Sequence, residues 1–239
     1  MIKINELKKN YAGKNILAIK NEQILDNKIY GLFGRNGAGK TTLINILSNK
    51  IFAEEMDIEI NGSKLSENLN TSGLVYVVSN DNYLDRNLKL KKILKNFCLI
   101  NENFNINEAK RYCSIFNLNL NVLLNTLSKG NEAIFNLCIG LAMDVRYIFY
   151  DEATNGLDAN NRDIFYKLLL ENYSIKEKTI VFSTHIIEEV STFIEEVIFL
   201  DDQSFIINKS VDKLKEIVNN DYLSLEEIFL LYTSKGVNI

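Results

Sequence analysis

The sequence predicts an α/β fold in which crossover helices connect the strands of a mostly parallel sheet. Four short runs rich in β-branched and aromatic residues are typical of strands buried on both faces: Lys28–Phe33, Val75–Val78, Arg146–Tyr150 and Thr179–Ser183. Three stretches with helical periodicity follow such runs: Lys40–Asn49, Asn161–Glu171 and Ile186–Glu196. Strands that alternate with helices in this way favour parallel pairing through right-handed crossovers.

Weaker patterns predict further elements of the fold. Residues 2–7, 22–25 and 56–60 alternate partially, which predicts an antiparallel edge sheet, and 197–200 with 205–207 predict a hairpin. Between about Asp85 and Leu127 the apolar spacing becomes helical, which predicts a helical subdomain inserted into the sheet domain. We therefore expect a single domain over residues 1–239, with a helical subdomain at about 80–140 and a C-terminal helical tail at about 205–239.

Composition excludes several classes of partner. Apolar residues make up 46% and charged residues 24% of the chain, the balance of a soluble globular protein, and the net charge of −4 argues against nucleic acid. No apolar run is long enough to cross a bilayer, and the start lacks the apolar stretch of a signal peptide. We expect a cytosolic protein whose membrane role comes through a partner. Cys98, Cys113 and Cys138 have no close spacing and are expected to be small apolar residues.

A glycine-rich loop stands directly after the run Lys28–Phe33 and before a helical stretch. It has the pattern G-x-x-x-x-G-K-[ST], whose backbone N–H groups wrap around phosphate oxygens at a helix N-terminus. Lys40 would supply a full positive charge to the β- and γ-phosphates, and the hydroxyl of Thr41 would bind Mg²⁺. The residues expected to hold the nucleotide are Gly34, Asn36, Gly37, Ala38, Gly39, Lys40, Thr41 and Thr42.

Two carboxylates end the predicted strand at Arg146–Tyr150. Asp151 is placed to hold the Mg²⁺ shell, because ligands gather at the carboxyl ends of strands in open α/β sheets. Glu152 points to the other face of the strand tip and can polarise a water for attack on the γ-phosphate. His185, the one histidine in the sequence, follows the strand at Thr179–Ser183 and is expected to reach a γ-phosphate oxygen. The alternative for Asp151 and Glu152 is an acidic strand end that faces solvent, and the alternative for His185 is a structural role. A phosphate loop in the same chain disfavours both.

Together these motifs resemble the ABC transporter ATPase family over nearly the whole chain. Leu127–Asn131 fills the position of the family's signature, although its Leu-Ser-Lys-Gly-Asn differs from the commonest form, Leu-Ser-Gly-Gly-Gln. Asn155–Asp158 is similar to the D-loop, and His185 to the switch histidine. Tyr11 matches the aromatic residue on which adenine stacks. The tail at 225–231 resembles the drug and antimicrobial-peptide exporter (ABC-2 type) subgroup.

The resemblance implies a P-loop NTPase (RecA-like) core with an antiparallel β edge subdomain and an inserted helical subdomain. It implies an ATPase that uses ATP and Mg²⁺ to power transport, and the subgroup favours export. Its implied partners are a membrane-spanning subunit and a second ATPase subunit, arranged head to tail as a homodimer or a heterodimer. Ser128 and Gly130 would then contact the ATP held by the other subunit, Asp158 would belong to the same nucleotide site, and the protein would lie on the inner face of the membrane.

The sequence departs from the family pattern at two places. Ser79 stands where a glutamine normally binds Mg²⁺ and links the ATP site to the membrane subunit. The shorter side chain would reach the metal through water, or Asn80 would substitute, so we expect altered coupling or turnover. Ala153 replaces the usual proline, with little expected consequence.

A basic stretch, defined by Lys89, Lys91, Lys92 and Lys95, falls in the predicted helical subdomain. It is either a solvated helix face or a surface attracted to anionic lipid or an acidic loop of the membrane partner.

Three other functions fit parts of the sequence. A soluble ABC ATPase without a transport role is disfavoured because the chain has neither a long coiled coil nor a second cassette. A regulatory cassette that binds ATP but hydrolyses it slowly is favoured only by Ser79. The presence of Glu152 and His185 argues against it. A P-loop kinase would not explain Leu127–Asn131 or Asn155–Asp158.

Overall fold

The computed structural model of the chain describes residues 1–65, 73–79, 84–220 and 222–233. The chain divides into two compact units. The first unit combines residues 1–75 with 179–239, and the second contains residues 76–178. The predicted helical subdomain, at about 80–140, falls within the range of the second unit.

The described strands and helices follow the predicted α/β order closely. The strands are β1 (Ile2–Tyr11), β2 (Lys14–Ile24), β3 (Ile29–Phe33), β4 (Glu55–Ile60), β5 (Ser63–Lys64), β6 (Val75–Ser79), β7 (Tyr147–Asp151), β8 (Thr179–Ser183), β9 (Glu196–Asp201) and β10 (Ser204–Ser210). The helices are α1 (Lys40–Leu47), α2 (Leu90–Ile100), α3 (Ile106–Ile115), α4 (Lys129–Leu141), α5 (Ala159–Ile175), α6 (Val211–Val218) and α7 (Leu225–Thr233). Two 3₁₀ turns lie at Leu124–Thr126 and Ile187–Glu189.

An antiparallel sheet in the strand order β2-β1-β4-β5 belongs to the first unit. The side chains of Ile2, Ile4 and Leu7 are buried, whereas Lys3 and Asn5 between them are exposed. This alternation is that of a sheet with one face on the core. The predicted edge sheet is therefore present, but β2 begins at Lys14, well before the predicted residue 22.

The strands of the second sheet in this unit include β10, β9, β3 and β8, in that order. β3 pairs in parallel with both β8 and β9, while β9 and β10 form the predicted antiparallel hairpin. Every residue of β3 and of β8 is buried. The apolar runs thus predicted doubly covered parallel strands correctly, since such strands must be apolar on both faces.

The prediction of a helix over Ile186–Glu196 is wrong. Only the 3₁₀ turn at Ile187–Glu189 forms there, and Glu196 already begins β9. The segment from Val190 to Ile194 consists of β-branched residues, a serine and a phenylalanine, which lose side-chain freedom in a helix or compete for its backbone bonds. Local propensity therefore outweighed the helical spacing of its apolar residues.

The second unit packs its helices around α4. Every residue of α4 from Ala133 to Leu141 is buried, and a Cβ placed on Gly140 would lie 2.4 Å from Cγ2 of Val78, so α4 packs closely against β6. Cys113 and Cys138 are buried free thiols and Cys98 is half-buried, as expected for apolar residues. Among the described helices, none has both the length and the apolar content needed to cross a membrane.

Candidate nucleotide-binding site

The phosphate loop joins the buried strand β3 to α1 in the first unit. A Cβ on Gly34 would lie 2.4 Å from the carbonyl oxygen of Leu200, so a side chain at this position would collide with the backbone of β9. Gly39, with φ of 102°, precedes α1 in a left-handed conformation that other residues rarely adopt. These two glycines give the chain its tight curve between strand and helix, as the sequence pattern predicted.

Lys40 is enclosed by the loop that precedes it. Its side chain is 6% exposed, and Nζ donates hydrogen bonds to the carbonyl oxygens of Gly34 at 2.6 Å and Arg35 at 3.3 Å. An ammonium has three donors that rotate on a flexible stem, so it can turn from these carbonyls to phosphate oxygens. The positive charge is thus held inside the loop that the sequence predicts to bind phosphates.

The remaining loop residues differ in their exposure. Asn36 and Gly37 are exposed, as is Thr41 in the first turn of α1, whereas Ala38 and Thr42 are half-buried. The loop and the beginning of α1 are therefore open to solvent on one side, as a ligand site requires.

The antiparallel sheet of the first unit supports the phosphate loop. The sequence motifs did not reveal this contact. A Cβ on Gly39 would lie 2.8 Å from Cδ2 of Leu17 in β2. The backbone N–H of Ala18 donates to the carbonyl oxygen of Gln203 at 2.7 Å, which joins β2 to the hairpin β9–β10. Leu17 had no sequence signal beyond its apolar character, because this contact depends on tertiary packing.

Two further predicted residues lie in the first unit. Tyr11 ends β1 with 48% of its side chain exposed, and Nζ of Lys9 lies 5.1 Å from the centre of its ring. The exposed aromatic ring is suited to stacking on a base. His185 is exposed directly after β8, where the hydroxyl of Thr184 accepts a hydrogen bond from the N–H of Ile186 at 3.0 Å.

The two carboxylates lie in the second unit, where β7 ends. Asp151 is 8% exposed, and its Oδ1 has no hydrogen-bond partner among the described residues. A buried carboxylate oxygen without a partner is costly unless a cation or a donor joins it, so this residue fits a metal ligand. The role of Asp151 as a metal ligand stays a prediction, which its burial and its unpartnered oxygen among the described residues favour.

Glu152 has an unusual backbone conformation. Its φ of 47° is in the left-handed region, which costs a non-glycine residue roughly 1–2 kcal/mol. Asn155 Nδ2 donates to Glu152 Oε2 at 2.9 Å and fixes the direction of the carboxylate. Backbone strain of this kind concentrates at functional sites, where it aims a side chain. No local sequence pattern indicates this strain, because glutamate does not favour the left-handed region.

The predicted D-loop and signature lie together in the second unit. Asp158 caps α5, with Oδ1 accepting from the N–H of Asn161 at 2.8 Å. Ser128 caps α4 and is itself exposed, and a Cβ on Gly130 would lie 3.1 Å from the carbonyl oxygen of Gly156. The signature therefore presents an exposed helix N-terminus, a position where backbone N–H groups bind anions.

Ser79, which stands in place of the family glutamine, is the last residue of β6 and is half-buried. Asn80, the predicted substitute, lies outside the described residues.

A buried lysine within a glycine loop between a parallel strand and a helix defines a P-loop nucleotide-binding protein. Residues 20–155, more than half of the chain, match the family described as "ABC transporter". The chain therefore belongs to the ABC transporter family. It is an ATP-binding subunit that hydrolyses ATP.

Similar proteins cover most of this chain at low identity. The ABC transporter ATP-binding protein YtrB of Bacillus subtilis is 24% identical over 230 residues, 96% of this chain and 77% of that protein. The lantibiotic transport ATP-binding protein SrtF of Streptococcus pyogenes is 27% identical over 93% of this chain and 98% of its own. The tungstate uptake system ATP-binding protein TupC of Peptoclostridium acidaminophilum is 29% identical over 84% of this chain and 94% of its own.

Solved structures share the fold. One described as an ATP-binding subunit of an ABC transporter has a TM-score of 0.85 at 20% identity, over 98% of this chain and 99% of its own. The ATP-binding cassette MJ0796, solved as a dimer bound to ADP and Pi after hydrolysis, has a TM-score of 0.77 at 21% identity, over 88% and 99% of the two chains. These likenesses confirm the predicted P-loop fold.

Proposed function

We propose that the phosphate loop and Tyr11 hold the ATP that this subunit hydrolyses. The observation that carries the proposal is Lys40, a buried ammonium held inside the glycine loop, whose Nζ donates to the carbonyl oxygens of Gly34 and Arg35. An ammonium forms stronger hydrogen bonds with an anionic phosphate than with neutral carbonyls. The ring of Tyr11 would stack on adenine. The loop N–H groups and the N-terminus of α1 would bind the phosphates.

Asp151, Thr41 and Ser79 would hold Mg²⁺, with Ser79 acting through water. The bound ion would supply positive charge that offsets the charge of the phosphates. The support is the unpartnered Oδ1 of Asp151 among the described residues, together with the oxygen-only donor set that Mg²⁺ prefers.

Glu152 would be the general base and His185 a ligand of the γ-phosphate. Asn155 holds one oxygen of Glu152, so the carboxylate is oriented before a water arrives. His185, exposed at the end of β8, would donate to a γ-phosphate oxygen. Family membership supports both roles, because each residue stands in the order that the family motifs have.

Two copies of the ATPase fold would meet head to tail, either as a homodimer or with a second kind of ATPase subunit. Ser128 and the N–H of Gly130 would then bind the γ-phosphate of the ATP held by the opposite subunit, and Asp158 would border that nucleotide site. The exposed N-terminus of α4 supports this role, as does the dimer of MJ0796. ATP would join the subunits, and hydrolysis would let them separate.

The membrane partner would be an export channel, with this subunit on the cytoplasmic face. The resemblance of the C-terminal segment to the exporter subgroup and the likeness to SrtF, a lantibiotic transport protein, support export. Opening and closing of the ATPase dimer would move the membrane subunit, in the manner of a ligand-driven population shift.

The test is Mg-ATP hydrolysis by the purified chain and by Glu152→Gln, with the oligomeric state of each measured in ATP. We expect turnover to fall at least about a hundredfold in the variant, because the general base is lost. We also expect an ATP-dependent dimer to accumulate. Glu171→Gln, which changes an exposed glutamate on α5, should behave as the native chain. Unchanged turnover in Glu152→Gln would show that another group activates the water.

A further inference from the structure

The C-terminal helix α7 is anchored on the strand pair that leads into the phosphate loop. The ring of Phe229 packs edge-on against Phe199 of β9 at 5.2 Å between centroids, and Tyr232 contacts the same ring at 6.2 Å. Phe199 also contacts Phe33, the last residue of β3, at 6.2 Å. An aromatic cluster of these four residues therefore connects α7 with the strand that carries the loop.

Arg35 connects the loop itself to the end of α7. Its Nη2 donates a hydrogen bond of 2.6 Å to the carbonyl oxygen of Thr233, in the last turn of the helix. The last carbonyls of a helix lack partners within the helix and form the negative end of its dipole, so a guanidinium stabilises them. Thr233 is 3% exposed, so the acceptor residue is held within the fold.

The backbone of the same arginine takes part in the loop's internal bonds. The carbonyl oxygen of Arg35 accepts from the N–H of Ala38 at 3.1 Å and from Nζ of Lys40 at 3.3 Å. Residue 35 is therefore held at two points, by its side chain to α7 and by its carbonyl to the loop. The helix also contacts the 3₁₀ turn at Ile187–Glu189, which follows His185 closely.

We propose that α7 is a clamp that preorganises the phosphate loop for nucleotide, and that Arg35 is the positioning residue through which it acts. The inference rests on the proposed function, in that the loop must bind ATP. A loop already held in its binding conformation loses less entropy when the ligand arrives, so the clamp increases affinity. By thermodynamic reciprocity, bound ATP strengthens the docking of α7 to the same extent.

The test is a cycle of four proteins whose ATP dissociation constants are measured by calorimetry. They are the native chain, Arg35→Met, a chain ended after Leu231, and the combination of both changes. The shortened chain lacks the Thr233 acceptor but keeps Phe229. We expect each single change to weaken ATP binding by about tenfold. The combination should bind no more weakly than the shortened chain alone, because loss of the Thr233 acceptor already removes the bond that Arg35→Met removes.

Control variants separate the clamp from general loss of structure. Arg111→Met removes another bonded arginine, paired with Glu108 in α3, and should leave the affinity unchanged. Tyr232→Ala in the full chain keeps the Thr233 acceptor and should weaken binding less than the shortened chain does. Arg35→Lys, which keeps a cationic donor, should recover part of the affinity.

Hydrogen exchange gives a readout that a merely structural role would not change. ATP should slow the exchange of the α7 amides in the native chain, and this slowing should be absent in Arg35→Met. A loss of affinity in Arg35→Met but not in the shortened chain would mean that the arginine contacts the nucleotide directly, and the clamp would be rejected. Equal affinities throughout would reject it too. A native chain that binds no ATP would instead overturn the proposed function.

Discussion

Lys178 is a buried cation in the second unit that has no part in the proposed ATP chemistry. It is 5% exposed, and its Nζ donates to the carbonyl oxygen of Met143. Oδ1 of Asp144 lies 4.0 Å from this nitrogen but 3.1 Å from Nζ of Lys176, which is the closer partner. Burial, and then repulsion from Lys176, lowers the pKa of Lys178 from 10.5 to about 8.

This pKa makes the stability of the protein depend on pH. Between pH 8 and 10.5 the folded chain has released the proton of Lys178 while the unfolded chain retains it, so the free energy of unfolding rises with pH. The gain over the window is about 3 kcal/mol, and it is absent below the folded pKa. We expect the free energy of unfolding, measured with urea between about pH 7 and about pH 10, to rise less in Lys178→Met than in the native chain. The difference should be about this amount. Lys167→Met, an exposed control, should keep the native slope.

Some residues of the candidate site follow from sequence alone and others depend on tertiary structure. The phosphate loop is local in sequence, so the turn that its glycines form could be predicted, while the nucleotide role of Lys40 stays a prediction. The strain at Glu152 could not be predicted, because a φ of 47° is imposed by the surrounding fold. Nor could the bond from Arg35 to Thr233, which joins positions 198 residues apart. No local pattern encodes a hydrogen bond over that separation.

At the scale of elements, two helix N-termini are fixed by side chains within predicted motifs. Ser128 caps α4 by accepting from the N–H of Asn131 at 3.2 Å, and Asp158 caps α5. Serine and aspartate are the residue types that favour this position. A structural role is therefore established for Asp158, and its nucleotide role stays a prediction that needs a variant able to separate the two.

Two substitutions of Asp158 separate the cap from the charge. Asp158→Ala should lower the free energy of unfolding by about 1 kcal/mol, because the N–H of Asn161 loses its acceptor. Asp158→Asn keeps a capping oxygen and should retain stability, while ATP turnover falls if the carboxylate borders the nucleotide site. Chemical unfolding and ATPase assays on both variants provide the measurement. Native turnover in Asp158→Asn would restrict the residue to capping α5.

The elements were predicted best where every residue is buried and worst where buried and exposed residues occur together. β8 begins and ends at the predicted residues because every position in it is buried and apolar or small. β2 was predicted too short, because the apolar Ile16 and Ala18 stand beside the buried Leu17 and Ile19, and a continuous apolar run shows no alternation. The segment at 186–196 failed for a different reason, because its apolar spacing is helical but its residues favour extended or turn structure.

On the scale of the whole molecule, charge is distributed unevenly. The chain carries a net charge of −4, yet the four lysines of the basic stretch are all exposed in and beside α2. The opposite face of this helix buries Leu90, Ile93 and Leu94. Leu99 and Ile100, at its end, are 76% and 80% exposed. Cations followed by exposed apolar residues are suited to the surface of an anionic membrane.

This distribution predicts that charge reversal on α2 weakens binding to anionic lipid. Lys92→Glu with Lys95→Glu should reduce association with vesicles containing phosphatidylserine by at least roughly thirtyfold. Each lysine near such a surface contributes about 1 kcal/mol, and each introduced glutamate adds repulsion. Added salt should reduce native binding similarly, because it screens exposed charges. Lys110→Glu with Lys167→Glu makes the same change in net charge on α3 and α5 and should bind as the native chain does. Equal binding by both doubles would show that net charge, and not the basic stretch, governs association. Undiminished binding by the α2 double alone would leave its lysines as a solvated helix face, and the attachment to the membrane would then depend on the membrane subunit.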